Sequence, residues 1–570
     1  NNGVRSFEGL DATGSRIFRQ SVDFRGEADP DPGRQGAEIL LRAVRELDRV
    51  RLPGHSESQV PFDLLPGNGS LPAGFAEGAQ GILQVDAILG FFENLDPPGS
   101  TFPLNVHFGV NGVRRGDQGP PPAADPLFRE PGSTYSVISM KREPANPGIY
   151  VASRLVAEAG AIFSPGALAV ADGNVLLAGP KADVLRAAPA GFPRMEFPGA
   201  AIVPGLVNAH VHLQIPRFND DAGAPLPIPT SFVDWILRVI AWKRGAEPAS
   251  LGENFRAAAA EALSFGTTTV GEIAGPDLSA YHGCPLRARV FAEGIGFAPH
   301  VASGVLVLVG AAIDRLEEIS AGNPLVRAGV SPHTLYTVGE GLLRSLADLA
   351  AAKGLPACLH LAESPQEIRF LAGGGGEIAS LLYPAVGKDV SWFRGLGRTI
   401  PAYLAEVGVL REGVLLVHTV HLARPEIDAL RAGGARFVLC PRSNAAHGNG
   451  SPDVTHFVDA KIPFALGTDS LGSVPDLSPW GEMRDARSLY EGKKKDAVLC
   501  RELFRACTEN GAAALGLPGG IPAPGAPADF TIVDDPGGDG DRFFRELVEK
   551  TDRANVRLTV VAGRTAHAAA

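Results

Sequence analysis

Cysteine is scarce in this chain. Its 570 residues include five, Cys284, Cys358, Cys440, Cys500 and Cys507, and no two form a C-x-x-C. An odd count without that spacing argues against a disulfide framework and for a reducing, cytoplasmic setting. Each thiol then reads as a small buried hydrophobe. Basic charge is also in deficit: 52 Lys and Arg against 63 Asp and Glu give a formal net charge of -11. Nucleic-acid surfaces are normally basic, so no such partner is expected. The apolar stretch 301–313 falls short of the roughly 20 residues that span a bilayer. No charged-then-apolar segment opens the chain, so no membrane partner is expected either. The first residue is Asn1 rather than Met, which leaves the natural start open.

What is present is an ordinary globular composition, 45% hydrophobic and 20% charged. At roughly 100–200 residues per domain, two to four domains are expected. Residues 1–145 stand apart, rich in Gly and Pro, with breakers such as Gly119-Pro120-Pro121-Pro122. An amphipathic helix is expected over 36–50, where Ile39, Leu40, Val44, Leu47 and Val50 fall near helical spacing. The stretch 81–92 reads as helix or strand. His55 and His107 have no partners at ligand spacing, and the segment is left without a chemical assignment. Met140 sits where the composition changes. It is a candidate natural start of the second unit, which would make the first segment a fusion or an upstream extension.

From Ile149 the chain alternates short apolar runs with turns such as Asp172-Gly173. Beyond His212 the pattern becomes strand then helix, repeatedly. Ser231 opens a helix with capping-box spacing to Asp234, and Phe232, Trp235, Ile236, Val239 and Ile240 form its apolar stripe. Strands follow at 267–270, 289–291, 326–330, 355–361, 414–417, 437–439 and 463–466, and a helix over 503–515 closes the series. With the run 201–207 that makes eight strands, the count of a TIM barrel. The fold expected is α/β: a (β/α)8 TIM barrel over 201–515, a small β-sandwich built from both flanks, 146–200 and 516–570, and the unassigned segment 1–145.

The run 201–207 leads into Asn208-Ala209-His210-Val211-His212. On an extended backbone, residues two apart point the same way, so both imidazoles share one side. That is half of a tetrahedral metal site; the alternative is a satisfied pair of core histidines. Reacting groups of a TIM barrel sit at the C-terminal ends of its strands. His360, His418 and Asp469 each close such a strand, and Glu363 follows His360 by three. Three imidazoles and a carboxylate suit one divalent first-row ion, zinc first, with iron(II) and manganese(II) as alternatives. His421, His447 and His456 read as surface or loop residues.

Five motifs carry a family resemblance: Pro204-Gly205-Leu206-Val207-Asn208-Ala209-His210-Val211-His212, Gly266-Thr267-Thr268-Thr269, His360-Leu361-Ala362-Glu363, Gly467-Thr468-Asp469-Ser470 and Ala528-Asp529-Phe530-Thr531-Ile532-Val533. Residues from about 148 to 568 resemble the amidohydrolase superfamily, in its cytosine-deaminase-like and triazine-hydrolase-like branch. The resemblance implies metal ligands at His210, His212, His360 and Asp469. No lysine ends the strand 326–330, so the two-metal members with a carbamylated lysine match poorly and a single ion is implied. Family analogy also suggests a homodimer.

A zinc-bound water can have a pKa of about 7 instead of ~15.7. Asp469 would hold the ion and accept a proton from that water, His418 would orient it, and Glu363 would carry protons to a ring nitrogen and to departing ammonia. Ser331-Pro332-His333-Thr334 and Cys440-Pro441-Arg442-Ser443-Asn444 resemble substrate-binding segments of deaminases of 5′-modified adenosines. Candidate substrate contacts are His333, Gln214, Asn444 and Ser470. Within the superfamily the sequence most resembles aminodeoxyfutalosine deaminases and their relatives acting on S-adenosylhomocysteine and methylthioadenosine. The loop 215–229 departs from nucleoside deaminases, and no acidic partner for a ribose is evident. The expected function is hydrolytic deamination of a 6-aminopurine nucleoside. The alternatives are a chlorohydrolase or deaminase of a triazine, guanine or another heterocycle, and a non-catalytic barrel that binds a partner.

Overall fold

The chain divides into two units, Asn1–Ile138 and Ser139–Ala570. A computed structural model describes four strands of the first: β1 (Gly3–Leu10), β2 (Arg16–Asp23), β3 (Gly81–Ile82) and β4 (Gly109–Val110). Beyond them it describes residues 147–569 except 158, 159, 221 and 222. β1 pairs antiparallel with β2, and β3 with β4. The helix expected over 36–50 lies outside the described residues, as do Met140 and the stretch 81–92 beyond Ile82.

Strands from both ends of the second unit meet in one sheet. From the front come β5 (Gly148–Val156), β6 (Ile162–Phe163), β7 (Gly166–Ala171), β8 (Asn174–Pro180) and β9 (Arg194–Pro204). In the chain order of this unit, β10–β17 follow, and the rear supplies β18 (Phe530–Asp534), β19 (Val556–Val561) and β20 (Arg564–Ala568). The order is β20-β19-β18-β9-β5-β7-β8, with β6 on β5. The flanks, expected as a sandwich, are hydrogen-bonded into one sheet because β9 pairs with β5 along one edge and β18 along the other. Side-chain alternation divides its apolar residues between two faces. Tyr150, Leu168, Ile202 and Phe530 enter one cluster, and Ile149, Val151, Ala167 and Ala169 enter another.

The run 201–207, expected as one strand, is two. β9 ends at Pro204 and β10 (Leu206–Val211) begins after Gly205. The backbone changes partner there: the Gly205 amide donates to Asp529 of the flanking sheet, the Leu206 amide to Gly266 beside β11 (Thr267–Ile273). A Cβ at Gly205 would lie 2.2 Å from Thr268 Oγ1, so only glycine allows this crossing. β10, β11, β12 (Arg287–Gly294) and β13 (Val326–Pro332) form one parallel sheet. β14 (Cys358–Leu361), β15 (Leu415–His418), β16 (Arg436–Leu439) and β17 (Phe464–Leu466) form a second. The two sheets meet at both edges through parallel bridges, Val330 with Ala357 and Val211 with Asp469. All eight expected strands are therefore present.

Helices separate most of them. Ser231 caps Phe232–Gly245 by accepting from the Asp234 amide at 3.3 Å. The helix expected over 503–515 is broken into Asp496–Ala506 and Glu509–Leu515. The Cys507 carbonyl at the break accepts the Val207 amide of β10 at 2.7 Å. The apolar stretch 301–313 belongs to a longer helix, Ala302–Gly322. With the preceding turn, Pro299–Gly322 is long and apolar enough by composition to cross a membrane. Its Val309, Ile313, Leu316 and Ile319 are buried in the core beside β12 and β13. The flanking sheet is tied to the parallel core by a buried bidentate pair, Arg287 Nε to Asp529 Oδ2 at 2.6 Å and Nη2 to Oδ1 at 3.2 Å. Removing one partner of such a buried pair costs about 3–5 kcal/mol.

Candidate metal and active site

Side chains from the C-terminal ends of β10, β14, β15 and β17 converge. The His210 ring lies 5.0 Å from that of His212, 4.9 Å from His360 and 5.6 Å from His418, centroid to centroid. Asp469 Oδ1 lies 3.6 Å from His212 Nε2 and 4.0 Å from His210 Nε2. The backbone is shaped for this meeting. A Cβ at Gly467 would fall 2.7 Å from His210 Cβ, so glycine lets β17 run close beside β10. Asn208 joins the same two segments, donating to Thr468 Oγ1 and accepting the Thr468 amide. Ala362, His418, Thr419 and Asp469, all at strand ends, have φ of 51°, 73°, 51° and 62°. Non-glycine residues held in this left-handed region cost about 1–3 kcal/mol each and cluster at functional sites.

The hydrogen bonds distinguish the imidazoles. His360 Nδ1 faces the His333 carbonyl at 3.0 Å, so it carries the proton and leaves Nε2 with a lone pair. His418 Nδ1 receives the Asn444 amide at 3.0 Å, so its proton sits on Nε2. His418 therefore presents a donor where His360 presents an acceptor. His210 is buried and neither of its nitrogens has a hydrogen-bond partner. A buried polar group in that state costs free energy unless a ligand takes its lone pair.

Burial, reinforced by the neighbouring imidazoles, pushes His210 well below the usual histidine range and brings His360 down to about 4. Burial also lowers His418 to about 4, against the pull of Asp469. Neutral imidazoles are the form that binds metal. Burial alone would raise Asp469, but His212, His418 and the Ser443 hydroxyl hold it below its ordinary value. Its Oδ2 accepts from Ser443 at 2.6 Å and Ser473 at 3.1 Å, leaving Oδ1 toward the imidazoles. Nitrogen and oxygen donors of His210, His212 and Asp469 lie within 4.8 Å of one another, as do those of His210, His360 and His418. This donor set fits a divalent ion.

Glu363 borders the cluster. Its Oε2 lies 3.7 Å from His418 Nε2, and its Oε1 accepts from Asn449 Nδ2 at 3.1 Å. Burial, together with the charge of Asp469, raises its carboxyl to about 8. The loop carrying it is fixed by Glu367, which accepts the amides of Ala362 at 3.0 Å and Glu363 at 2.8 Å.

The other expected contacts divide. His333 stands at the mouth, its Nδ1 2.7 Å from Thr337 Oγ1. Asn444 is present, but its amide orients His418. Gln214 anchors a loop, with Nε2 donating to the Asp277 carbonyl at 2.7 Å and Oε1 accepting the Asp277 amide at 3.1 Å, and it lines a small cavity beside His212 and Lys243. Ser470 Oγ is buried against Ser473 Oγ at 2.7 Å and supports the group that holds Asp469. His447, expected at the surface or in a loop, is buried and packs on Trp235 with ring centroids 4.5 Å apart.

Two acids at the mouth were not among the expected residues. Glu272 accepts the Leu213 amide at 2.9 Å and the Tyr281 hydroxyl at 2.9 Å, fixing the turn after His212. Glu293 lies 3.9 Å from His333 Nε2 and 3.7 Å from Lys243 Nζ. Both follow the expected strand runs, 267–270 and 289–291, by two residues, so the strand-end test that finds His360 would find them when carried two positions further. A cavity of about 490 Å³ lined by Arg484, Arg487 and Lys494 lies elsewhere, and these cations are each paired with acids.

The amidohydrolase family pattern matches residues 201–566. An aminodeoxyfutalosine deaminase of Deinococcus radiodurans is 31% identical over 366 residues, covering 63% of this chain and 83% of its own. A 5-methylthioadenosine/S-adenosylhomocysteine deaminase of Halobacterium salinarum is 30% identical, over 66% of this chain and 83% of its own. A crystal structure of an adenosine deaminase from Xanthomonas campestris with bound zinc superposes with a TM-score of 0.60 at 26% identity, over 74% of this chain and 93% of its own.

Proposed function

The chain belongs to the amidohydrolase family, and from that premise we propose that it is a metal-dependent hydrolytic deaminase of a 6-aminopurine nucleoside. Its eight parallel strands are read as a closed (β/α)8 barrel with the site at its mouth. His210, His212, His360 and Asp469 would hold one divalent ion, zinc before iron(II) or manganese(II). Bound there, the ion would supply the Lewis acidity that brings the ionisation of water near neutral pH.

The observation that carries the reading is the pair of buried carboxyls beside one imidazole cluster, Asp469 held by Ser443 and Ser473, and Glu363 held by Asn449 beside His418. Asp469 is ionised, with Oδ2 held by Ser443 and Ser473, so Oδ1 is free to take a proton from the attacking water. His418 Nε2–H donates to the oxygen being added. Glu363, raised to about 8, holds its proton near neutral pH and delivers it to ring N1. Glu363, now a carboxylate, takes the proton of the added hydroxyl as the 6-oxo group forms and passes it to the leaving amine as the C6–N bond breaks; the proton held by Asp469 then restores Glu363. Water is consumed, ammonia leaves and a 6-oxopurine remains. The two deaminase relatives support the substrate class by their names.

The test is ammonia release by the metal-loaded protein from a panel of 5′-modified adenosines, guanine and aminotriazines, with elemental analysis beside it. Turnover of the adenosines with about one ion per chain is expected. Turnover of guanine or a triazine alone would replace the substrate class, and about two tightly held ions per chain would overturn the single-ion site.

A further inference from the structure

Glu293 is not used by the mechanism above. It closes β12 with its side chain 9% exposed, and its Oε1 makes no hydrogen bond. The nearest polar neighbours, His333 Nε2 at 3.9 Å and Lys243 Nζ at 3.7 Å, are beyond hydrogen-bond length. A buried carboxylate with spare acceptor capacity is costly in the absence of a donor. Here the missing donor has a direction to come from.

The groups that act on the reacting carbon stand on one side of the mouth: Glu363 after β14, His418 on β15 and Asp469 after β17. Glu293 and His333 stand on β12 and after β13, in the other four-stranded sheet. Lys243, in the last turn of the helix Phe232–Gly245, completes that wall, and with Trp242 and His212 it lines a small cavity there. A nucleoside whose C6 faces His418 and Asp469 turns its sugar toward this wall. An acceptor carboxylate beside a donor ammonium matches a vicinal diol, in which each hydroxyl donates one hydrogen bond and accepts another. The same carboxylate could join His333 and His360, whose donor atoms lie within 4.8 Å of it, around a second cation. The Lys243 ammonium beside it opposes that.

We propose that Glu293, flanked by Lys243, binds the 2′- and 3′-hydroxyls of the substrate's ribose. This rests on the nucleoside reading above and gives the ribose an acidic partner.

The test compares adenosine with 2′,3′-dideoxyadenosine on the metal-loaded full chain, in the wild type, Glu293→Gln and Lys243→Met. Removing the hydroxyls should lower wild-type kcat/KM by about 10- to 100-fold. Glu293→Gln should lose a similar factor on adenosine, chiefly through KM, and little more on the dideoxy compound. Lys243→Met, a change on the rim, should show the same pattern more weakly and carries the test if Glu293→Gln does not fold. Equal losses on both nucleosides, or a wild type indifferent to the hydroxyls, overturn the assignment, as does a second ion lost on Glu293→Gln. Calorimetric binding of the two nucleosides to the Glu363→Gln chain, whose turnover is slowed, reads the same difference. Hydroxyl-dependent binding that Glu293→Gln abolishes, without ammonia release by the wild type, would sink the deaminase reading and leave this assignment standing.

Discussion

The two four-stranded sheets of the core meet at one mouth but prepare it differently. At the ends of β14, β15 and β17, the groups facing the cluster are held by dedicated partners: His360 by the His333 carbonyl, Glu363 by Asn449, His418 by Asn444 and Asp469 by Ser443. At the ends of β10 and β12, His210 and Glu293 carry buried polar atoms with no hydrogen-bond partner. One half is oriented in advance, as transition-state stabilisation requires. The other half holds acceptors open to a bound ion or substrate.

That contrast makes Glu363→Gln the most damaging single test outside the ligand set. Glutamine keeps the shape and the Asn449 contact but cannot carry a proton. We expect kcat to fall by about 10²- to 10⁴-fold, with ion content and folding intact. Because the protonated carboxyl is the working form and its value is raised to about 8, wild-type activity should decline as pH rises through about 8. A variant that raised KM and spared kcat would erase the distinction between the two halves, since that signature is assigned to Glu293.

Asn444→Ala tests pre-orientation itself. Without the amide donor, His418 is no longer fixed with its proton on Nε2. Partners of this kind are worth about 10- to 100-fold, and we expect a loss of that size in kcat with KM little changed. Asn444→Asp should be worse than alanine, because a carboxylate draws the proton to Nδ1 and turns Nε2 into an acceptor. The reverse order, read from steady-state kinetics, would show that the tautomer is not what Asn444 controls.

The same contrast explains what could be read from sequence. The metal-site candidates announce themselves: His210 and His212 by a two-residue repeat, His360, His418 and Asp469 by closing apolar runs. Most of the eight strands are legible for the same reason, since buried parallel strands read as short apolar runs, and Thr267-Thr268-Thr269-Val270 is legible by its β-branched residues. The break at Gly205 is signalled by Pro204-Gly205, but the apolar run on either side hides the change of hydrogen-bond partner. The duties of Gln214 and Ser470 are not legible. Each is adjacent to the site in sequence, yet its hydrogen bonds go to neighbouring loop groups, and only the packed structure fixes those partners. Glu293 and Glu272 lie past the apolar runs in which the eye stops.

Glu272 gives the smallest effect and the finest probe, because it belongs to the less prepared half and yet is fully partnered. Burial raises its carboxyl to about 8, with the Leu213 amide and Tyr281 hydroxyl pulling the other way. The folded chain therefore keeps this proton up to about 8, whereas an exposed carboxyl releases it near the ordinary 4.5. Below that lower value both states are protonated and the group adds no pH dependence. Between the two values only the unfolded chain gives up the proton, so stability falls as pH rises, by at most about 1.4 kcal/mol per pH unit. Glu272→Gln cannot titrate. At pH 5 it should cost about 0.5–1.5 kcal/mol, one weakened hydrogen bond, and by pH 8 that deficit should shrink or reverse. Other buried carboxyls raised in the same way, Glu367 and Glu482, act on both proteins and cancel in the difference. Denaturant unfolding at pH 5, 6.5 and 8 decides it: a constant gap between the two proteins would mean that Glu272 is ionised in the fold. The orphan oxygen of Glu293 would then no longer set it apart from its neighbour on β11 by charge, but by hydrogen bonding alone.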